Sequence, residues 1–375
     1  FLTGSGAGNF HVVYSYYQSK SLKPSDYAVS DYYKTGHAHN DFLHFTAEYG
    51  ALAAGFMFLF IYTLFSAGIR ALKRGAGDGI FIAAFLASAT AVLVHGLFNF
   101  PFLIVPTTAV FYALAASSAM EQDDYEYSVA EAPVPLRLAS VFAAVLLFGA
   151  VCVFTLNLLS SAYLRKAREA DYFNRPQQAM EYSAVAVELN RWNEENLFFR
   201  GLIFEKAGDN ENAYDYYIKV YDLNPGHWEA NTGLFGYYAE KGMKKEALST
   251  ALNMQKISPY SLKAVTAAGY AYYINGLYEP AEKIYLEGLK NRPGNYDILY
   301  HLSAVYGAIG DAARAAEFAE QAIAAGGDNA GAYYNLAVAY YRTGDKKKAI
   351  QTIERLLKEH PEDQKAIELK EAMRK

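Results

Sequence analysis

Three histidines and two carboxylates fall within one stretch: His37, His39, Asp41, His44 and Glu48. Asn40 follows His39 directly, and Gly50 stands ten positions after Asn40. An imidazole titrates near neutral pH, so this stretch can move protons or hold a diphosphate. An apolar run begins at residue 51, and ionisable groups at such a place point to a lipid-borne substrate. In an extended segment His37 and His39 point the same way, as metal pairs do, and Asp41 and Glu48 could complete a site. No cysteine or distant carboxylate cluster supports that arrangement, so no metal and no cofactor is assigned. Asn40 and Asp41 suit a helix N-cap as well as a substrate role. Glu48 reads as a polar group at the membrane interface or as part of the site.

Gly4, Gly6 and Gly8 form a second candidate element. No apolar strand precedes them, so a dinucleotide-binding turn is excluded. They fit a tight turn whose backbone N–H groups approach phosphate at Gly6 and Gly8, or a flexible loop entrance. Tyr14, Tyr17, Tyr27, Tyr32 and Tyr33 could stack on sugars or sit in an interfacial aromatic belt. His95 stands at the end of a later apolar run. Residues 1–69 contain no arginine, and Lys20, Lys23 and Lys34 are their cations besides histidine. A diphosphate clamp ordinarily uses arginine, so the site needs groups from elsewhere.

These groups must be positioned by the elements that follow. Stretches 51–69, 79–98, 102–119 and 138–159 are long enough to cross a bilayer and carry no internal charge. Arg70, Lys73 and Arg74 place the first connection in the cytoplasm. Alternation then puts residues 1–50 outside, 99–101 outside, 121–137 inside and everything after 160 outside. Arg165, Lys166 and Arg168 run against that order, although large domains translocate largely regardless of charge. Residues 1–160 hold 7 Lys/Arg and 10 Asp/Glu, against 27 and 29 in the remainder. A membrane half is thus joined to a soluble half at residue 160. The net charge of -5 argues against non-specific nucleic-acid binding. Cys152 is the one cysteine and makes no intrachain disulfide.

The soluble half repeats. Ala179, Ala213, Ala247, Ala281, Ala315 and Ala349 recur at a spacing of 34, as do Gly208, Gly242, Gly276, Gly310 and Gly344. Pro225, Pro259, Pro293 and Pro361 keep the same register, with Gly327 in the vacant place. Phe204, Tyr238, Tyr272, Tyr306 and Tyr340 form an aromatic ladder. Alanine lets two helices approach, glycine ends the first in a left-handed conformation, and proline stands where the second stops. The aromatic fills the gap between neighbouring units. Period and residue types resemble tetratricopeptide repeats. Repeats are expected at about 194–227, 228–261, 262–295, 296–329 and 330–363. A degenerate one at 160–193 precedes them, and a capping helix at 362–374 closes the array.

The first third resembles the C-terminal part of the O-antigen ligase and polymerase superfamily. The resemblance covers roughly residues 1–120. It rests on His39-Asn40 with Gly50, on Gly4-Ser5-Gly6-Ala7-Gly8-Asn9-Phe10, and on His95-Gly96-Leu97-Phe98-Asn99-Phe100-Pro101. It implies a catalytic His39, with His37, Asn40, Glu48, Gly6 and Gly8 on the substrate. The implied reaction attaches a glycan from a polyprenyl diphosphate to a hydroxyl of a lipid or protein acceptor. It also implies further spans upstream, so the chain reads as a fragment, and Phe1 in place of Met agrees. The expected architecture is all-α: an extracytoplasmic loop segment at 1–50, a membrane domain at 51–160 and a repeat array at 161–375. The expected setting is the bacterial inner membrane, with the array in the periplasm docking a protein partner. Polymerase and protein O-oligosaccharyltransferase activities are the near rivals. A membrane-anchored repeat scaffold without chemistry is the rival of another class.

Overall fold

The computed structural model describes residues 40–75, 79–98, 134–326 and 330–374. Among them are fifteen helices and no strand. The chain divides into two compact units, whose division falls between Arg165 and Lys166.

The first unit contains α1 (Asp41–Arg74), α2 (Gly79–Gly96) and most of α3 (Val134–Tyr172). Asn40 starts α1, its side-chain oxygen accepting the Leu43 N–H at 2.9 Å. Gly75 ends it at φ 68, beside Lys73 and Arg74, whose charges suit the negative end of the helix dipole. Gly50 interrupts α1 with φ 84 and ψ 173, a backbone conformation open essentially to glycine alone. Phe85 and Ala89 of α2 pack with Leu64 and Phe65 of α1. Gly68 allows that approach, since a Cβ there would lie 3.0 Å from Leu86 Cδ2. Large apolar side chains still face outward, Phe56 at 72% and Phe142 at 65% exposure.

The helices run past the expected stretches. The stretch 51–69 lies inside a longer helix that already starts at Asp41. The expected division at residue 160 falls inside α3, which runs unbroken to Tyr172. Charge density shifts there, but nothing in the backbone has to stop: Ser160, Ser161, Ala162 and Tyr163 are all helix-compatible. Among the described residues two helices, α1 and α2, are long and apolar enough to cross a membrane, by length and composition alone, so a polytopic domain of four spans is not shown. The stretch 102–119 lies outside the described residues.

The second unit continues as helix pairs. After α4 (Pro176–Leu189) come α5 (Glu194–Lys206) with α6 (Asn210–Leu223), and α7 (Trp228–Glu240) with α8 (Lys244–Ile257). Then follow α9 (Leu262–Ile274) with α10 (Tyr278–Asn291), and α11 (Tyr296–Ile309) with α12 (Ala312–Ala324). α13 (Ala330–Arg342) with α14 (Lys346–Glu359) and α15 (Gln364–Arg374) complete the array. From α5 onward each helix packs on the next, and the first helices of the later repeats also touch one another.

The register has direct physical causes. The six ladder alanines are at most 3% exposed, each where two helices meet. The five ladder glycines have φ between 69 and 95, so the chain turns without a Cβ penalty. Pro225, Pro259, Pro293 and Pro361 each stand two residues beyond a helix end. Side chains of Asn193, Asp209, Asn295, Asp311 and Asp345 cap helix N-termini, each contributing about 1 kcal/mol. Arg168 pairs with Glu195 and Lys206 with Asp171, both at 2.6 Å, which ties the end of α3 to α5.

The aromatic ladder packs both within and between repeats. Phe204 stacks on Tyr216 at 5.7 Å and Tyr306 on Phe318 at 5.2 Å within their repeats, and the Tyr238 ring meets the Tyr214 ring of the preceding repeat at 5.6 Å. Hydroxyls add further links between repeats. Tyr306 Oη donates to Glu282 Oε1 at 2.6 Å, and Tyr340 bonds Glu320. Tyr238 Oη lies 3.3 Å from Tyr214 Oη, again in the preceding repeat.

Candidate functional site

Two regions gather chemistry-bearing residues. In the first, Asn40 does two things at once. It caps α1, and its Nδ2 donates to the Leu97 carbonyl at 2.9 Å, joining the start of α1 to the end of α2. Glu48 stands one helical turn after His44, and its Oε1 lies 3.2 Å from His44 Nε2. Both side chains are buried. A carboxylate at that distance orients an imidazole. Both stand just before the Gly50 kink. His39, His37, Gly6 and Gly8 lie outside the described residues, so this group is Asn40, His44, Glu48 and Gly50. His44 was not selected by the motif, although its spacing of four from Glu48 marks one helix face. His95 is exposed near the end of α2. Among the described residues no three His, Cys, Asp or Glu side chains converge to hold a metal ion.

The second region is the face made by the first helices of the repeats. Here two tyrosines take up most of the space between helices. A Cβ at Gly201 would lie 2.8 Å from the Tyr217 ring, and one at Gly233 would lie 2.5 Å from it. A Cβ at Gly269 would lie 2.2 Å from the Tyr285 ring. His301 stacks on the Tyr285 ring, 5.3 Å between centroids and 5° between planes. Burial holds the His301 imidazole down to about 4, against a smaller opposing pull from Asp297. It is therefore neutral at pH 7. Burial raises the phenols of Tyr217 and Tyr285, and the Glu205 carboxylate beside Tyr217 adds to the rise there.

Two grooves open on this face. One, about 470 Å³, lies between α5 and α7 over Tyr217. The other, about 200 Å³, lies between α11 and α13, with Tyr273 and Tyr334 at its sides. In it Asn335 Nδ2 donates to Ser303 Oγ at 2.9 Å, and Arg342 Nη1 donates to the Gly307 carbonyl at 2.6 Å. Helix faces with aromatic walls and unfilled volume bind chain segments; these grooves supply no nucleophile–base pair. None of their residues was singled out from the sequence as a site. The available signal was the alternation of glycine and bulky residues at fixed repeat positions.

Tetratricopeptide-repeat family models match residues 194–227 and 308–373. The TPR repeat-containing protein YpiA of Bacillus subtilis (strain 168) is 24% identical over 162 residues, 42% of this chain. The chain spans 37% of the length of that curated relative. Among solved structures, PilF of Pseudomonas aeruginosa aligns at 13% identity and a TM-score of 0.47, over 58% of this chain and 99% of its own. The type IV pilus biogenesis factor PilW aligns at 15% identity and a TM-score of 0.48, over 56% and 98%. None of these similarities supports an O-antigen ligase domain. The matched family models, with the buried alanines and left-handed glycines of the array, identify this part of the chain as tetratricopeptide repeats.

Proposed function

We propose that the chain is a membrane-anchored tetratricopeptide scaffold that docks protein partners on the face made by its first helices. The observation that carries this reading is the continuous series of helix pairs whose first-helix face opens into two grooves. The outward apolar side chains of α1 and α2 support the anchor, because their contiguous exposure in water would be costly. The setting is a bacterial inner membrane, with the array in the periplasm. A photo-crosslinking residue at Tyr334, in the second groove, is expected to trap discrete protein adducts in cells. The same residue at Glu287 of α10 serves as the control. Equal adducts at both positions, or none at Tyr334, would remove the scaffold reading.

A second reading draws on a different observation, the buried His44–Glu48 pair between the Asn40 cap and the Gly50 kink. In it the chain transfers glycan from a polyprenyl diphosphate to a hydroxyl, with His39 as the proton-moving residue. A positioned imidazole contributes about 10²–10⁴-fold to such a step. The assay is glycan transfer by the purified protein in lipid, comparing the native chain with His39→Ala. Turnover in neither removes the enzyme reading and leaves the scaffold intact.

A further inference from the structure

The groove between α5 and α7 has a defined chemistry. Its floor is made of small residues of α7, Thr232, Gly233 and Gly236, and Phe198 and Leu202 of α5 form an apolar side. Three carboxylates, Glu205, Glu229 and Glu240, stand around it, against one cation, Lys263. Glu240 and Glu205 are exposed. Glu229 is 46% exposed at its side chain, with His227 Nδ1 3.4 Å away.

Gly236 adds an independent argument. It sits inside a helix, where glycine is disfavoured because it gives up the most backbone freedom on folding. Gly201, Gly233 and Gly269 are explained by tyrosine rings that a Cβ would strike. Gly236 has no such explanation, since a Cβ built there meets nothing within 4 Å. Its missing side chain keeps the groove floor open. One period later the same repeat position holds Tyr270.

We infer that this groove binds an extended basic segment of a partner protein. An arginine or lysine lays its aliphatic stem along the floor of α7 and places its charge among Glu205, Glu229 and Glu240. Long cationic side chains combine those two halves, and no acidic or purely apolar segment satisfies both. The inference rests on the scaffold reading and gives it a partner chemistry.

The test uses the full chain in a mild detergent and three fluorescein-labelled decapeptides. These alternate alanine with arginine, with glutamine or with glutamate, and binding is read by anisotropy at about 0.15 M salt, where weak surface attraction is screened. The arginine peptide is expected to bind at least about tenfold tighter than the glutamine peptide, and the glutamate peptide not at all. The triple variant Glu205→Gln, Glu229→Gln, Glu240→Gln should lose about tenfold in affinity. Gly236→Leu, which adds bulk only to open space, should abolish binding while the protein stays folded. Glu279→Gln with Glu287→Gln, on α10, should change nothing. Equal binding of all peptides, no binding of the arginine peptide, or an equal loss in the α10 variant would each overturn the assignment. If the arginine peptide fails while the Tyr334 crosslinks persist, this groove is wrong and the scaffold stands. Loss of both removes the scaffold as well.

Discussion

Tyr217 and Tyr285 occupy the same repeat position, two periods apart, and their surroundings differ on one side. Each ring presses on a glycine of its own repeat, Gly201 or Gly269. On the other side Tyr285 meets His301, stacked at 5.3 Å, whereas Tyr217 meets Gly233, where even a Cβ would clash. His301 and Gly233 are themselves equivalent positions. His301 covers the Tyr285 ring, whereas the Tyr217 ring itself takes the place of a Cβ at Gly233, beside a groove of about 470 Å³. The repeat between them solves the same packing problem in reverse, with Ala251 in the tyrosine position and Phe235 in that of the glycine, whereas the repeat after Tyr285 holds small residues at both, Ser303 and Ala319. From residue 194 to 295 the volume between the paired helices is thus shared across two positions, and neighbouring repeats alternate which helix supplies it.

The sharpest way to break this comparison is to exchange one solution for the other. Tyr285→Ala empties a fully buried ring site and should cost about 3–5 kcal/mol. Gly269→Phe alone should destabilise through overpacking. The double variant rebuilds the Phe235–Ala251 arrangement and should recover about 1–3 kcal/mol relative to additive losses. Urea unfolding followed by tryptophan fluorescence reads this directly, because Trp192 and Trp228 both lie in the array. Additive losses would mean that the two positions do not share one volume.

This compensation explains what could be read from the sequence and what could not. Ala281, Gly276 and Pro293 repeat as identical residues, so a scan at a fixed spacing finds them. Tyr217 and Gly201 repeat only as a sum of volumes, and a scan for sameness passes over them. The caps also escape, because the first-helix place holds Asn193, His227, Ser261 and Asn295 in turn, and the second-helix place holds Asp209, Met243, Leu277, Asp311 and Asp345. The charge shift near residue 160 reports the surroundings of α3 and not its end, which lies at Tyr172. In the first unit the spacing singled out Asn40 and Gly50, and their geometry gives each a backbone role, as cap and as kink. The buried partner of Glu48 is His44, a helix-face neighbour that the motif did not select.

The shared alanine ladder provides the next test. Ala281 is fully buried between helices, so Ala281→Leu should cost about 1–3 kcal/mol. Lys244 is exposed at the start of α8, and Lys244→Leu should cost less than about 0.5 kcal/mol. Equal shifts in the urea midpoint would contradict the register.

The imidazole stacked on Tyr285 predicts a pH dependence. His301 is held near 4 in the folded array and returns to about 6.5 when unfolded. Between those values the unfolded chain binds the extra proton, so acid favours unfolding. The contribution is complete above about pH 6.5 and declines as the pH falls towards 4. At pH 5 the array should have lost about 1–2 kcal/mol through this group. His301→Phe should flatten that part of the profile. A native and a variant profile that stay parallel from pH 7 to 5 would place the imidazole in water rather than on Tyr285.

The smallest effects should separate two glycines by sign. Gly310 ends α11 at φ 95, where a side chain strains the backbone, so Gly310→Ala should destabilise by about 1 kcal/mol. Gly236 is helical, with open space where its Cβ would stand. Gly236→Ala should therefore stabilise the array by about 0.5–1 kcal/mol, the ordinary gain in a helix interior. Both changes add one methyl group, so hydrophobicity cannot account for opposite outcomes. Thermal unfolding of the two variants side by side should move the midpoint down for Gly310→Ala and up for Gly236→Ala. A loss at Gly236 would mean that α7 needs its glycine for packing, and the open floor over Tyr217 would then be a by-product of that packing.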